Sequence, residues 1–188
     1  MFHCPRLPQL LSGALLGLVA AAAHAAPSPA PDALQPLLAT INERLNIADQ
    51  VALTKWDSGK PIQDTAREAQ VIANARKQAV QQKLDPDEAA ELVAAQIEAN
   101  KLVQYGLLAV WQAARKAPDV PRPDLSQIRP KLDMLQVRLL QQYADFMPYR
   151  VDPECPNWLA EQRASLIKDA LHGQALIRAT GELCVTDQ

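Results

Sequence analysis

The stretch "LDPDEAAELVAAQIEANKLVQYGLLAVWQAARK", residues 84–116, decides the fold. Asp85 stands where a carboxylate can cap a helix, and Pro86 takes the first helical position, where a missing N–H costs nothing. Glu88, three residues after Asp85, completes a capping box. No proline follows until Pro118, so the pattern predicts one unbroken helix to about Lys116. At a rise of about 1.5 Å per residue such a helix is about 45 Å long.

Upstream, "NERLNIADQVALTKW", residues 42–56, lies in a first helix predicted to start at an Asp32 cap and to run to about Trp56. Leu34, Leu37, Leu38, Ile41, Leu45, Ala48 and Ala52 recur at the three/four spacing of a buried stripe. "DSGKP" breaks this helix, and a proline-started second helix is expected over about Ile62 to Lys83. Downstream, "APDVPRPD" is a rigid three-proline connector. A fourth helix should run from near Ser126 to just before Pro148, and a last one from about Pro156 to Thr180. No segment carries the period-two, β-branched alternation of a strand. The expected fold is all-α, with long antiparallel helices in a single domain.

The first residues belong to a different class. "MFHCPRLPQLLSGALLGLVAAAAHAAPSPAP" places Arg6 before an apolar run, Leu10 to Ala23, that ends in the small-residue pattern Ala23-His24-Ala25. That is the layout of a secretory signal peptide at residues 1–25, with cleavage after Ala25 and an Ala/Pro linker at 26–33. The run is shorter than the roughly 20 residues a membrane span needs. Residues 34–188 then form the helical domain, with 34–117 and 124–188 as its two parts, and the mature chain is expected in the periplasm or outside the cell.

Losing Arg6 moves the formal charge from −2 to −3, and no basic run exists, so nucleic acid is not an expected partner. Cys4 leaves with the leader, and Cys155 and Cys184 reach an oxidising compartment, where an even count reads as one disulfide. A metal or redox pair is the competing reading, but there is no CxxC, and His172 is the sole mature histidine.

The familiar catalytic patterns are missing. There is no Ser/His/Asp set, HExxH, GxGxxG or phosphate loop, and His172 reads as a surface residue beside Gly173. Polar residues at helical spacings remain. Arg44 and Lys55 are eleven positions apart, which leaves them only about 20° apart around the helix axis. "DTARE" puts Asp64, Arg67 and Glu68 on one face, which taken alone is commonly a solvated charge cluster. Asn100 and Gln104 lie one turn apart on an otherwise apolar stripe, where an amide must bond either another helix or a ligand. Arg129 falls in the first turn of the fourth helix, where the dipole prefers anions.

Taken in order, "INERLNIADQVALTKW", "PIQDTARE" and "LDPDEAAELVAAQIEANKLVQYGLL" resemble the exported helical chorismate mutases, the AroQ type of the gamma subclass. The pattern is Arg, eleven residues to Lys, nine to Asp, three to Arg and thirty-three to an amide pair, with a weaker continuation through "DLSQIRPKLDML". The resemblance implies the type II chorismate mutase fold and conversion of chorismate to prephenate by an intramolecular Claisen rearrangement, with no cofactor and no metal. It implies that Arg44 pairs with a substrate carboxylate and that Lys55 donates to the ether oxygen while touching a carboxylate. Arg67 is another cation of the pocket, and Asp64 and Glu68 receive the ring hydroxyl. Asn100 stands where relatives carry a small hydroxyl residue and would bond a carboxylate. Gln104 is the second donor to the ether oxygen, in place of the Glu of some relatives. Arg129 would complete the pocket from the same chain, although Pro130 directly follows it. The family also supplies a C-terminal disulfide, matching Cys155 and Cys184, and includes homodimers. The rival reading, an exported helical binding protein without activity, would be favoured by the loss of one of these cations, and none is lost.

Overall fold

The computed structural model describes residue 1, residues 28–122 and residues 124–185; the leader expected at 1–25 lies almost wholly outside the described residues. Among the described residues there are six α-helices: α1 (Leu34–Ser58), α2 (Thr65–Gln81), α3 (Pro86–Ala114), α4 (Leu125–Phe146), α5 (Cys155–Ala164) and α6 (Ala170–Thr180), with a short 3-10 turn at Met147–Tyr149. No strand occurs among the described residues, and none of their helices is long and apolar enough to cross a membrane.

Helix α3 begins as its sequence dictates. The Asp85 carboxylate accepts the N–H groups of Asp87 and Glu88 at 2.8 and 3.0 Å, satisfying two donors that the first turn would otherwise leave open. The helix ends at Arg115, whose left-handed backbone (φ 54°) returns its N–H to Gln112. α3 forms the centre of the bundle, packed against α1, α2 and α6, while α1 also carries α4. The predicted stripe on α1 is the core itself: Leu34, Leu37, Ile41, Ala48 and Ala52 are all fully buried. The first four meet Leu92, Val93 and Val103 of α3 and Leu139, Leu140, Tyr143 and Phe146 of α4 in one cluster, while Ala52 packs with Leu53, Trp111 and Ala117 in a second. Burying one such aliphatic side chain contributes roughly 1.5–3 kcal/mol, so this stripe holds much of the bundle together.

Four expectations are corrected. Asp32 does not cap α1. The preceding turn is closed by the backbone, with Leu34 N–H on the Pro31 carbonyl at 3.0 Å, and the cap position falls to Ala33 with no side-chain bond. Helix α2 starts at Thr65 rather than Ile62. There the Asp64 carboxylate accepts the Arg67 N–H at 3.1 Å and Glu68 accepts the Asp64 N–H at 3.0 Å, a reciprocal cap that outcompetes the proline upstream. The last helix is two helices, because Asp169 adopts an extended backbone and caps a fresh start by accepting the His172 N–H at 2.9 Å. His172 is then not a surface residue. It is 3% exposed, with Nδ1 at 2.9 Å from the Asp169 carboxylate and Nε2 at 2.9 Å from that of Asp49 on α1.

Cys155 and Cys184 form the anticipated disulfide, which staples the C-terminal tail to the start of α5. Arg150 reinforces the same junction, donating to the carbonyls of Leu183 and Glu182 at 3.1 and 2.9 Å and pairing with Glu88 at the start of α3. At the other end, the Trp158 indole donates to the Ser28 carbonyl at 2.7 Å, so the segment ahead of α1 is tied to α5.

Candidate active site

Helices α1 to α4 enclose a cavity of about 190 Å³. Helical spacing explains who reaches it. Arg44, Val51 and Lys55 descend one stripe of α1; Gln96, Asn100 and Gln104 descend one stripe of α3 at four-residue steps. The capped first turn of α2 brings Asp64, Arg67 and Glu68, and the start of α4 brings Arg129 and Asp133. All eight polar residues singled out in the sequence border this single cavity, and every one comes from the same chain. Val51, Ile62, Val71, Ile97, Ile128 and Leu132 supply the apolar wall.

The cationic side chains differ in how firmly they are held. Arg44 is only 7% exposed, and burial pushes its guanidinium down to about 10, opposed by the nearby Asp133 carboxylate. It remains a cation at neutral pH. Its NH1 group donates to the Leu132 carbonyl of α4 at 2.9 Å, but its buried Nε has no partner among the described residues. Lys55 sits at the rim, with Nζ donating to the Pro61 carbonyl at 2.6 Å across the α1–α2 loop. Arg67 reaches Asp133 of α4 at 3.1 Å and Gln70 at 3.2 Å, which leaves part of its five-donor fork uncommitted. Arg129 is exposed and forms no ion pair among the described residues.

The amides form a chain. Gln104 donates to Asn100 Oδ1 at 2.6 Å, and Asn100 donates to the Arg44 backbone carbonyl at 3.3 Å. Among the described residues one N–H of Gln104 is thereby free, and its buried Oε1 is unpartnered. Both amides therefore face inward, as their stripe implied, and they bond each other and the α1 backbone while keeping capacity for a ligand.

Cavity, charge and topology agree with two independent comparisons. A family model described as chorismate mutase type II matches residues 35–105. Over 147 residues the chain is 33% identical to the secreted chorismate mutase of Mycobacterium tuberculosis, an overlap covering 76% of this chain and 73% of that protein. The chain belongs to the chorismate mutase family. Two solved structures agree: a chorismate mutase from Burkholderia phymatum (42% identity, 82% of this chain and 98% of that one, TM-score 0.80) and one from Burkholderia thailandensis (36%, 82% and 100%, TM-score 0.78).

Several lining residues of this chorismate mutase escaped the sequence reading. Gln96 was legible, since Gln96, Asn100 and Gln104 share one four-residue spacing; its amide donates to the Ala179 carbonyl of α6 at 2.6 Å and ties the cavity floor to the rest of the bundle. Asp133 and Gln136 were not legible, because their partners, Arg67 and Gln78, lie on α2 and meet them only when α4 docks. Lys101 was overlooked beside Asn100. It is 13% exposed, pairs with Glu98 at 2.7 Å and Glu68 at 3.1 Å, and is held above the ordinary lysine range chiefly by the Glu98 bond.

Proposed function

We propose that this cavity binds chorismate and converts it to prephenate by an intramolecular Claisen rearrangement. The observation that carries the reading is the balance of charge around one apolar hollow. Five cations (Arg44, Lys55, Arg67, Lys101, Arg129) face three carboxylates (Asp64, Glu68, Asp133), a formal excess of two positive charges. That excess suits a small dicarboxylate. The rearrangement breaks a C–O bond while forming a C–C bond within one molecule, so it needs neither a nucleophile nor a proton carrier. It needs the flexible dianion held in its compact conformer. It also needs fixed donors where negative charge grows on the ether oxygen.

In this reading Arg44 pairs with one substrate carboxylate, using the buried Nε that lacks a partner. Lys55 leaves the Pro61 carbonyl to donate to the ether oxygen and a carboxylate, and the free N–H of Gln104 is the second ether donor. Asn100 supports a carboxylate, Arg67 and Arg129 close the anionic end, and Asp64 and Glu68 accept the ring hydroxyl. No cofactor takes part. The protein acts in the periplasm or beyond, after cleavage behind Ala25, as a homodimer whose pockets are each complete within one chain. The homodimer is tested by light scattering on the mature protein.

The direct test follows chorismate absorbance with the chain starting at Ala26, beside a Lys55→Ala variant. Loss of chorismate with prephenate as product, reduced by about 10²-fold or more in the variant, is the expected outcome for a lost transition-state donor. A folded, disulfide-bonded protein with no turnover would overturn the reading.

A further inference from the structure

We propose that Lys101 is a positioning residue that fixes the Glu68 carboxylate as the acceptor for the substrate's ring hydroxyl, and so sets affinity for hydroxylated over non-hydroxylated dicarboxylates. The inference rests on the reading of Glu68 given above. Its basis is that both Glu68 oxygens are already committed on the protein side. Oε1 accepts the Asp64 backbone N–H at 3.0 Å, and Oε2 accepts Lys101 Nζ at 3.1 Å. The first bond belongs to the cap of α2 and the second comes from α3, so the carboxylate is held between two elements. Each oxygen keeps a further acceptor site for a hydroxyl from the cavity.

Lys101 is itself tethered. Glu98, one turn earlier on α3, holds the ammonium at 2.7 Å from outside the cavity, where its own side chain is 49% exposed. Glu98, Lys101 and Glu68 thus form a line from solvent to cavity wall. With the Lys101 side chain 13% exposed and that of Glu68 21% exposed, the pair is largely covered, and a covered charge pair is costly to leave half-made. A hydroxyl bond present equally in bound substrate and transition state raises affinity without raising the rate of the chemical step.

The test is a double-mutant cycle on Lys101 and Glu68, read by steady-state kinetics. Lys101→Met should raise KM for chorismate about tenfold with kcat changed much less, as expected for loss of binding common to both states. Lys101→Arg should restore most of the affinity. In a Glu68→Gln background, Lys101→Met should have no further effect. Glu98→Gln, at the exposed rim where folding is not at stake, should raise KM in the same direction by a smaller factor. An equal Lys101→Met loss with or without Glu68 would overturn the proposal, because the lysine would then act on substrate directly or on the fold. So would an unchanged KM in both Lys101→Met and Glu98→Gln. Unchanged kinetics in Glu68→Gln alone would instead remove the reading of Glu68, and the proposal with it.

Discussion

As the proposed ether donor, Gln104 would free the chemistry from pH in a way the rest of the cavity permits. An amide donates at any pH, whereas a carboxyl at this position donates only when protonated. The cations beside it hold their charge: Arg44 stays protonated until about 10, and Lys101 is held above its ordinary range. The rate should therefore be nearly flat from about pH 5 to 8 and should fall as Arg44 loses its proton near the value burial gives it. The sign follows from the depressed value of a base: the folded protein releases the Arg44 proton before the unfolded chain does, so folding gains while binding loses as pH rises through that range. Gln104→Glu should turn the flat profile into one that declines from pH 5 to 8, and a kcat/KM profile of both proteins checks it. A steep decline in the unmodified protein would remove Gln104 from the role of ether donor. Arg44 and Gln104 were legible because helical periodicity puts them on stripes shared with Lys55 and Asn100, whereas Lys101, one position on from Asn100, was overlooked. Arg67 was legible as a position, but its bond to Asp133 depends on how α2 and α4 meet, which no local spacing encodes.

Helix boundaries were less legible than helices. α1 and α3 follow their apolar stripes, yet both ends of the chain's local signals misled where two caps competed. Asp32 offers a carboxylate, but the Pro31 carbonyl takes the Leu34 N–H and closes the turn without it. At the far end the apolar pattern from Leu159 to Leu176 suggests continuity, while Asp169 supplies a new cap and buries His172 against α1. Asp169 thus joins two jobs, capping α6 and facing the imidazole that meets Asp49. Asp169→Ala should cost about 1–2 kcal/mol, as expected for a lost cap, and lower Tm while leaving chorismate turnover nearly unchanged. Backbone and side-chain bonds from His172 hold the Asp169 carboxyl below the ordinary aspartate range. A depressed acid contributes stability that is present above its unfolded value and lost as pH falls through its folded one. The Tm gap between the two proteins should therefore be full near neutrality and shrink below about pH 4. A gap that persists unchanged in acid would mean that Asp169 acts through packing rather than charge.

Across the whole molecule, the cavity and the staple occupy separate regions of the bundle. The cavity is built from α1 to α4, and of its polar residues Gln96 also bonds α6, through the Ala179 carbonyl. The disulfide joins the tail to α5, and the tail is also held by Arg150, whose guanidinium binds two tail carbonyls and whose own carbonyl accepts the Val185 N–H at 2.9 Å. Closing a loop between residues 29 apart is worth on the order of 3 kcal/mol, chiefly by restricting the unfolded chain. Reduction should then lower Tm by about 6–12 °C, at about 2–4 °C per kcal/mol for a chain of this size. It should leave KM and kcat at 25 °C within about twofold, because Arg150 keeps the tail docked and the loss falls on the unfolded state. Thermal melts and chorismate kinetics on matched oxidised and dithiothreitol-treated samples separate the two effects. A loss of turnover on reduction, at a temperature where the helical signal is intact, would show that the C-terminal helices hold α3, through the Gln96 bond to Ala179, in the register the cavity requires.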